Sequence, residues 1–495
     1  MNLNLTKMAR TPQAIRSALI LGGVAAFAMA WAISRAAVQA ITLDEAVTYN
    51  TLVYNRLLFW PSANNHILNT LLMYMCTKLL GVSQFTVRLP ALIGAVLYIT
   101  AAYRLCRLVG GPLIFQVVLL VCLVYNPFIF DYLVAARGYG LALGFLLWAI
   151  VYSAEWHLHQ RGSLFFACAV SSTCAGLSID SNFSFAFVNL VTMTAILLCA
   201  WYRRPKQFFR VVLSCLIPGA VVTALVSGYS LYFYHWDSGQ FYYGAHRLSE
   251  TFGSILESSL FQTRIDFLKA IIFPLVGVTG LIWLVYLLFQ RVPRTGRTAW
   301  LVWFAVILAA IFAVTAGIHC IAFYMFGLPL PKDRTAIFFF PLFMISVGLL
   351  AAIPSPSRIG TYLRACFRGA LVVMACYFLL CLRLTYFKEW YWDADVDKAY
   401  SILSCLNRTH QVTRVTSTWA YRGPLNFYQI VKPTSIQTID EKYDADTTQV
   451  YVVDTLHSPE VLKTDNLRIF YRSPTTDLVL AAKPALAESA NNCCP

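Results

Sequence analysis

The sequence predicts an α-helical polytopic membrane protein with about eleven transmembrane helices, followed by a small C-terminal α/β domain. Of the 495 residues, 59% are hydrophobic and 12% are charged, whereas roughly 25% of the residues in an ordinary soluble domain are charged. A chain with so little charge cannot cover a water-facing surface, which excludes a soluble enzyme. Apolar runs of about 20 residues, the length that crosses a bilayer, recur as far as residue 387. Beyond that point the composition changes, because residues 388–495 contain 13 of the 23 acidic residues.

The apolar runs define a transmembrane domain, residues 1–387. The predicted spans are 18–38, 89–108, 111–128, 138–155, 163–178, 183–201, 211–231, 267–289, 299–318, 335–353 and 369–387. The first run follows a basic segment, as a signal peptide would, but it is long enough to cross a bilayer and lacks a convincing cleavage site. It is therefore predicted to be the first span.

The basic residues indicate how the spans are oriented, because Lys and Arg concentrate in cytoplasmic loops. The N-terminal segment and alternate loops contain 16 Lys and Arg residues and one nearby acid, Glu155. The opposite loops contain nine of the ten acidic residues that precede residue 388. The N-terminus is therefore predicted to be cytoplasmic and residues 388–495 extracytoplasmic, with the bacterial inner membrane as the expected location. The formal charge of +15 follows from this topology, and no nucleic-acid partner is expected.

Two regions outside the spans have structure of their own. In the first outside loop, 43–60 mixes apolar and charged residues and predicts an interfacial helix. The 14 residues Ile67–Leu80 are too few to cross a bilayer and are predicted to be interfacial or re-entrant. Residues 388–495 predict an extracytoplasmic α/β domain with a disordered tail. The predicted strands are 412–419, 449–455, 467–473 and 478–483, and the predicted helices are 396–406 and 425–431.

The 14 cysteines predict neither a disulfide framework nor a metal site. Ten of them lie in apolar stretches, where cysteine behaves as a small core residue. Cys493 and Cys494 lie in the polar tail, and no Cys or His spacing is typical of zinc ligands.

An acid pair, Asp44 and Glu45, directly follows the first span. A carboxylate at this membrane face is a candidate general base toward a hydroxyl group. The alternative is structural, because Thr42 and Glu45 have the spacing of a capping box at a helix N-terminus. Both interpretations are open for Glu45, whereas the helix-capping interpretation is weaker for Asp44.

Three further polar groups are predicted on the same outside face. His66 opens the second part of the first outside loop and is either a ligand for substrate or a helix cap. Arg137 begins the fourth span, close to Asp131, and Lys332 and Arg334 precede the tenth. Cations are unfavourable at helix N-termini unless an anion is near, and phosphate is the anion expected here. The alternative for the cations is contact with lipid headgroups.

Aromatic residues are concentrated at 229–243. They predict either stacking on a sugar or, more simply, an interfacial aromatic belt.

Several motifs resemble a known family, the polyprenyl-phosphate-dependent glycosyltransferases of the C superfamily. They are the acid pair at 44–45, Asn-Asn-His-Ile-Leu at 64–68, Phe-Thr-Val-Arg-Leu-Pro at 85–90 and Ala-Arg-Gly-Tyr at 136–139. The nearest groups are the protein O-mannosyltransferases and the lipid A aminoarabinose transferases. The resemblance extends over roughly residues 1–350.

This resemblance implies an enzyme that takes a sugar from a polyprenyl-phosphate carrier on the outer membrane face and inverts the anomeric centre. The family's catalytic Asp falls on Asp44, and its His-Pro-Pro element falls on His66, although Ile67 and Leu68 replace the two prolines. The predicted catalytic residues are Asp44 and Glu45, and the predicted substrate-binding residues are His66, Asp131, Arg137, Tyr139, Lys332 and Arg334. The acceptor is a hydroxyl of a lipid, glycan or protein. The sequence identifies neither sugar nor acceptor, and it leaves open whether a divalent metal assists.

Two other functions are compatible with parts of this pattern. A transporter or flippase of lipid-linked sugars would also need cations for phosphate, but it should carry polar residues through the midplane, and the sequence lacks the paired halves of inverted repeats. A non-catalytic scaffold that presents the C-terminal domain leaves the charges at the membrane face unexplained.

Overall fold

The computed structural model describes residues 12–233, 243–260, 277–286, 296–355, 357–441, 446–464 and 466–493. Within these ranges the protein is an α-helical membrane protein with a small C-terminal sheet, as predicted. Among the described residues, eight helices are long and apolar enough to span a bilayer. They are α1 (Pro12–Val38), α4 (Gln84–Val109), α7 (Tyr139–His159), α8 (Leu164–Ser181), α9 (Ala186–Arg203), α10 (Phe208–Val226), α14 (Arg297–Phe326) and α16 (Arg358–Leu380).

Each predicted span overlaps a helix within the described residues, but the count of eleven is not confirmed. Three of the runs form shorter apolar helices: α5 (Leu113–Val124), α13 (Gly277–Tyr286) and α15 (Phe339–Ala352). The residues on either side of α13, 261–276 and 287–295, lie outside the described ranges. The last span also begins earlier than predicted, because Ser357 caps α16 and the helix includes basic residues that the sequence placed in a loop.

The first outside loop contains two short helical segments, as expected. Helix α2 (Leu43–Val47) continues into a π-helix, Thr48–Tyr54, so the helical part is shorter than the predicted 43–60. Helix α3 has the predicted bounds, Ile67–Leu80. The remaining short helices of the transmembrane part are α6 (Pro127–Tyr132), α11 (Gly228–Tyr232) and α12 (Leu248–Ser259).

The C-terminal domain is built on a four-stranded mixed sheet of order β1-β2-β4-β3. Strands β1 (Val415–Ser417) and β2 (Val450–Asp454) are parallel, and β3 (Arg468–Arg472) and β4 (Leu478–Ala482) complete the sheet in antiparallel pairs. Its helices are α17 (Val396–His410), α18 (Trp419–Val431), α19 (Glu460–Thr464) and α20 (Pro484–Ser489). Helix α18 begins before the predicted residue 425 because β1 ends at Ser417, earlier than the predicted 419.

The structure of the C-terminal tail differs from two predictions made from the sequence. Residues 484–493 form α20 and a 3₁₀ turn, Ala490–Cys493, rather than a disordered tail. Cys493 forms a disulfide with Cys405 of α17, 88 positions earlier in the chain. Neither spacing nor local pattern marks such a pair, which is why the sequence predicted no disulfide.

One hydrophobic cluster joins the C-terminal domain to the first outside loop. Ile41, Ala46 and Tyr49 pack with residues of α17 and α18, and the ring of Tyr49 contacts that of Phe427 edge to face, with centroids 5.4 Å apart. The C-terminal domain therefore lies directly against the segment that carries Asp44.

Candidate active site

Asp44 lies in the first turn of α2, and local sequence determines where that helix begins. The hydroxyl of Thr42 accepts the N–H of Glu45 at 3.2 Å, and the Glu45 carboxylate accepts the N–H of Thr42 at 3.0 Å. This is the capping box that the spacing predicted. Asp44 takes no part in this capping box, and its side chain is 21% exposed.

Glu45, which the sequence paired with Asp44 as catalytic, occupies a structural position. Its side chain and that of Arg88 are both fully buried, and they form an ion pair of 2.7 Å. Arg88 also donates to the carbonyls of Gln39 and Ala40, each at 2.6 Å, and Glu45 accepts the N–H of Ala136 at 2.8 Å. Both oxygens of this buried carboxylate therefore accept hydrogen bonds from protein groups. Through Arg88, Glu45 connects α2 to the residues that follow α1, and through its own bond it connects α2 to Ala136, the residue before Arg137.

The carboxylate of Asp44 is the point where two arginines meet. Arg334 donates a hydrogen bond to its Oδ2, and Arg137 Nε lies 3.7 Å from the same oxygen. The side chain of Trp390 also contacts this carboxylate. Burial raises the pKa of Asp44, but the charges of Arg137 and Arg334 outweigh that effect, so the pKa lies below its ordinary value of 3.8. Asp44 is therefore ionised at neutral pH.

Arg137 is directed inward and does not reach toward lipid. Its side chain is only 3% exposed, and it donates to Thr48 at 2.6 Å and to Asn64 at 2.5 Å. The turn that places it depends on Gly138, whose φ is +75° and where a Cβ would lie 2.1 Å from the carbonyl oxygen of Ser181. The headgroup alternative is therefore excluded for Arg137.

Arg334 is more accessible than Arg137, because its side chain is 29% exposed. It follows the start of a 3₁₀ turn, Asp333–Ala336, and its guanidinium lies 5.5 Å from the ring centre of Tyr243. The hydroxyl of Tyr243 bonds to Asp333 at 2.5 Å. Lys332 is half-buried, and its amino group has no acidic partner in the part of the chain that the structure describes. Two of the three predicted cations thus meet at Asp44, and Lys332 is not shown to join them.

His66 and Tyr139 are buried beside the arginines. Their ring centres are 5.7 Å apart, and neither nitrogen of His66 has a hydrogen-bond partner among the described residues. Burial and the charges of Arg137 and Arg334 lower the pKa of His66 well below its ordinary value of 6.5. The ring is therefore neutral at neutral pH, and His66 does not act as a side-chain helix cap.

Asp131, predicted to bind substrate, is buried and paired with a cation in the structure. It forms an ion pair of 2.5 Å with Arg35, and both side chains are almost completely buried. Its other oxygen accepts the N–H groups of Lys388 and Glu389, at 2.7 and 3.1 Å. Asp131 thus binds the segment that follows the last span and places that segment beside Asp44.

This segment, residues 388–393, supplies functional candidates that the sequence did not identify. Trp390 contacts Asp44 directly. Glu389 is half-buried beside Lys388, Asp131 and Asp333. Burial raises the pKa of Glu389 to about 7, and the nearby Asp131 and Asp333 carboxylates contribute to the increase. The concentration of charged and aromatic residues directly after the last span was the available signal, but it was assigned to the start of a separate domain.

The aromatic cluster at 229–243 is only partly described, because 234–242 lie outside the described ranges. Tyr229 and Tyr232 are 60% and 81% exposed, which favours an interfacial belt for these two. Tyr243 differs, since it lies against Arg334.

The described side chains offer no obvious metal site. No three His, Cys, Asp or Glu residues in the described ranges lie close enough together to bind a metal ion. They form an ionised carboxylate between two guanidinium groups. In such a site the carboxylate can accept a proton and the guanidinium groups can bind an anion.

The chain matches no protein-family model and no curated protein, but its fold is similar to those of several solved structures. ArnT from Cupriavidus metallidurans bound to undecaprenyl phosphate is 12% identical, with a TM-score of 0.49 over 94% of this chain and 98% of that one. The same ArnT in the apo state is 11% identical, with a TM-score of 0.49 over 96% and 99% of the two chains. A mutant of the arabinofuranosyltransferase AftD from Mycobacteria is 15% identical, with a TM-score of 0.46 over 95% of this chain but only 38% of AftD.

Proposed function

We propose that this protein is a membrane glycosyltransferase that moves a sugar from a polyprenyl-phosphate donor to a hydroxyl acceptor on the outer face of the membrane, with inversion. The observation that carries the proposal is the carboxylate of Asp44 between Arg137 and Arg334. The family resemblance of the motifs around these residues supports the same reaction.

The proposed reaction is a single displacement at the anomeric carbon. The acceptor oxygen forms the new bond to this carbon while Asp44 takes the hydroxyl proton. The bond from the anomeric carbon to the phosphate oxygen breaks, and its electron pair leaves with the polyprenyl phosphate. Arg334 and Arg137 stabilise the negative charge that develops there. Phosphate leaves without protonation, so the scheme needs no general acid.

The arrangement favours an enzyme over a transporter of lipid-linked sugars. The buried ion pairs Arg35–Asp131 and Arg88–Glu45 involve the end of α1 and the start of α4, the two helix ends that border the loop carrying Asp44. They stabilise one membrane face, whereas a transport path needs polar groups near the midplane.

The proposed location is a bacterial inner membrane with residues 388–495 outside. The loop charges support this orientation, and the Cys405–Cys493 disulfide supports it independently, because disulfides persist in oxidising compartments. The lipid tail of the donor would lie against the spans. The roles of His66, Tyr139 and Lys332 in binding the donor stay predictions, as does any help from a divalent ion.

The proposal is tested by mass spectrometry of lipid-linked sugars and envelope glycans in cells with and without the protein. Loss of the protein should cause one polyprenyl-phosphate sugar to accumulate and one glycan modification to disappear. If both pools are unchanged, the transferase assignment is wrong. If the sugar carrier accumulates on the cytoplasmic face only, the transporter is the better account.

A further inference from the structure

Three hydrogen bonds between described residues join the C-terminal part of the chain to the segment around Asp44. The N–H of Leu43 donates to Asp393 Oδ2 at 2.7 Å, and the N–H of Ile41 donates to the hydroxyl of Tyr428 at 3.0 Å. The side-chain amide of Asn50 donates to the carbonyl of Gly423 at 2.9 Å. These contacts lie before and after α2, so the C-terminal part contacts both sides of the turn that carries Asp44.

The contact at Leu43 has a specific physical role. The N–H groups in the first turn of a helix have no partner within the helix. Thr42 satisfies the N–H of Glu45 from within the capping box, whereas the N–H of Leu43 obtains its acceptor from Asp393, 350 positions later in the chain. Without this acceptor, the N–H of Leu43 has no hydrogen-bond partner among the described residues.

Asp393 is itself firmly placed. It ends a 3₁₀ turn, Tyr391–Asp393, three residues after Trp390, which contacts the Asp44 carboxylate. Asp393 is 1% exposed, and its Oδ1 has no hydrogen-bond partner among the described residues. Burial raises the pKa of Asp393 well above its ordinary value of 3.8, and the nearby carboxylates of Asp44 and Glu45 act in the same direction. An uncharged side chain with a carbonyl oxygen should therefore replace it well.

Packing around the hydrogen bonds limits movement of the same segment. A Cβ at Gly423 of α18 would lie 3.2 Å from the side chains of both Leu43 and Val47, which shows how closely this helix approaches α2. The Tyr428 hydroxyl donates to Gln84 at 2.9 Å, and Gln84 in turn donates to the carbonyl of Ala37 at 2.8 Å. These two hydrogen bonds connect the C-terminal part to the end of α1 and the start of α4.

We infer that Asp393 is a positioning residue for Asp44: by accepting the N–H of Leu43 it determines where the Asp44 carboxylate stands relative to the acceptor hydroxyl. The inference rests on the proposed function for its catalytic consequence. It assigns the C-terminal domain a part in the transfer step itself, because displacement of a reacting group by about 1 Å lowers rates by up to about 10²-fold.

The test compares three variants of the full-length protein. Asp393→Ala removes the acceptor, Asp393→Asn retains a carbonyl oxygen, and Asp395→Ala is the matched control. Asp395 is also buried and accepts a hydrogen bond, from Ser473 at 2.5 Å, and it pairs with Lys398, but the structure shows no bond from it to residues 41–45. The readouts are kcat, KM for the lipid donor, and amide hydrogen exchange of the peptide that contains Leu43.

Asp393→Ala should lower kcat by about 10²-fold, with little change in donor KM, and should speed exchange of the Leu43 amide. Asp393→Asn should restore most of kcat, and Asp395→Ala should leave kcat and this amide close to the parent values. The inference is wrong if Asp393→Ala and Asp395→Ala have the same effect, if only KM changes, or if exchange at Leu43 is unaltered. An inactive parent protein would contradict the proposed function, while hydrogen exchange would still decide whether Asp393 holds the Asp44 segment.

Discussion

Arg334 donates a hydrogen bond to the carboxylate of Asp44, although 290 positions separate the two residues in the chain. A donor phosphate that enters the site competes with Asp44 for this guanidinium group. Arg334 is the more exposed of the two arginines, while Arg137 is almost completely buried against Thr48 and Asn64. We therefore expect Arg334 to contact the phosphate and Arg137 to remain beside Asp44.

Replacement of Arg334 should weaken donor binding. A hydrogen bond to a charged group is worth about 1.5–3 kcal/mol, so Arg334→Gln should raise the Kd for undecaprenyl phosphate by roughly 10- to 100-fold. Arg334→Lys should recover part of the affinity, because lysine retains the charge without the planar fork. Arg104→Gln, at an exposed pair with Glu155, is the control. Parent-like binding by Arg334→Gln would show that phosphate binds elsewhere.

Donor affinity should depend on pH through Glu389, whose pKa is raised to about 7. As the pH rises from 6 to 8, this carboxyl group loses its proton and places negative charge near the phosphate site, so the KM for the donor should rise. Because the folded state binds this proton more tightly than the unfolded chain, stability should also fall as the pH rises from 4.5 toward 7. Glu389→Gln should abolish the change in KM, and Glu250→Gln should not. A parent KM that is constant across this range would refute the assignment.

The buried pair of Arg88 and Glu45 should matter for stability more than for chemistry. Removing one partner of a buried ion pair typically costs about 3–5 kcal/mol, so Arg88→Met should strongly lower the unfolding temperature in detergent. Replacing both partners, with Glu45→Gln added, should recover part of the loss. The exposed pair of Arg104 and Glu155 provides a control in Arg104→Met, for which little change is expected. Equal effects at the two sites would be inconsistent with the structure.

The Cys405–Cys493 disulfide should stabilise the C-terminal domain on the outside of the membrane. Loss of a native disulfide from a small domain typically costs about 2–5 kcal/mol, so Cys405→Ser should make residues 388–493 more sensitive to protease than the control Cys366→Ser.

Reporter fusions after Arg204 and after Trp392 should give opposite locations. Matching locations, or free thiols at both positions in non-reduced protein, would overturn this topology.

Local features of this protein could be predicted from its sequence because their causes lie within a few residues. Hydropathy predicted the positions of the spans and of α3, and the spacing of Thr42 and Glu45 predicted the capping box. The sequence also predicted an anion near Arg137, Lys332 and Arg334, with contact to lipid headgroups as the alternative. It did not show that the Asp44 carboxylate pairs with both arginines, because that contact depends on the tertiary fold.

The features that the sequence missed have the same origin. Asp131 and Glu45 were predicted as site residues, and only the structure shows that they pair with the buried Arg35 and Arg88. Trp390 and Asp393 lie at the start of a region that composition separates from the membrane part. Their contacts with residues 41–44 span about 350 positions, a distance over which no periodicity or spacing gives a signal.

The role of Asp44 is the central claim, and the turnover of Asp44→Asn with bound donor tests it most directly. The variant keeps the size and most hydrogen bonds of the side chain but cannot accept the acceptor proton. Turnover should fall by about 10²–10⁴-fold, while the Kd for undecaprenyl phosphate stays the same or decreases, because Arg137 and Arg334 lose a competing anion. A folded Asp44→Asn protein that binds donor and transfers sugar at the parent rate would contradict the account.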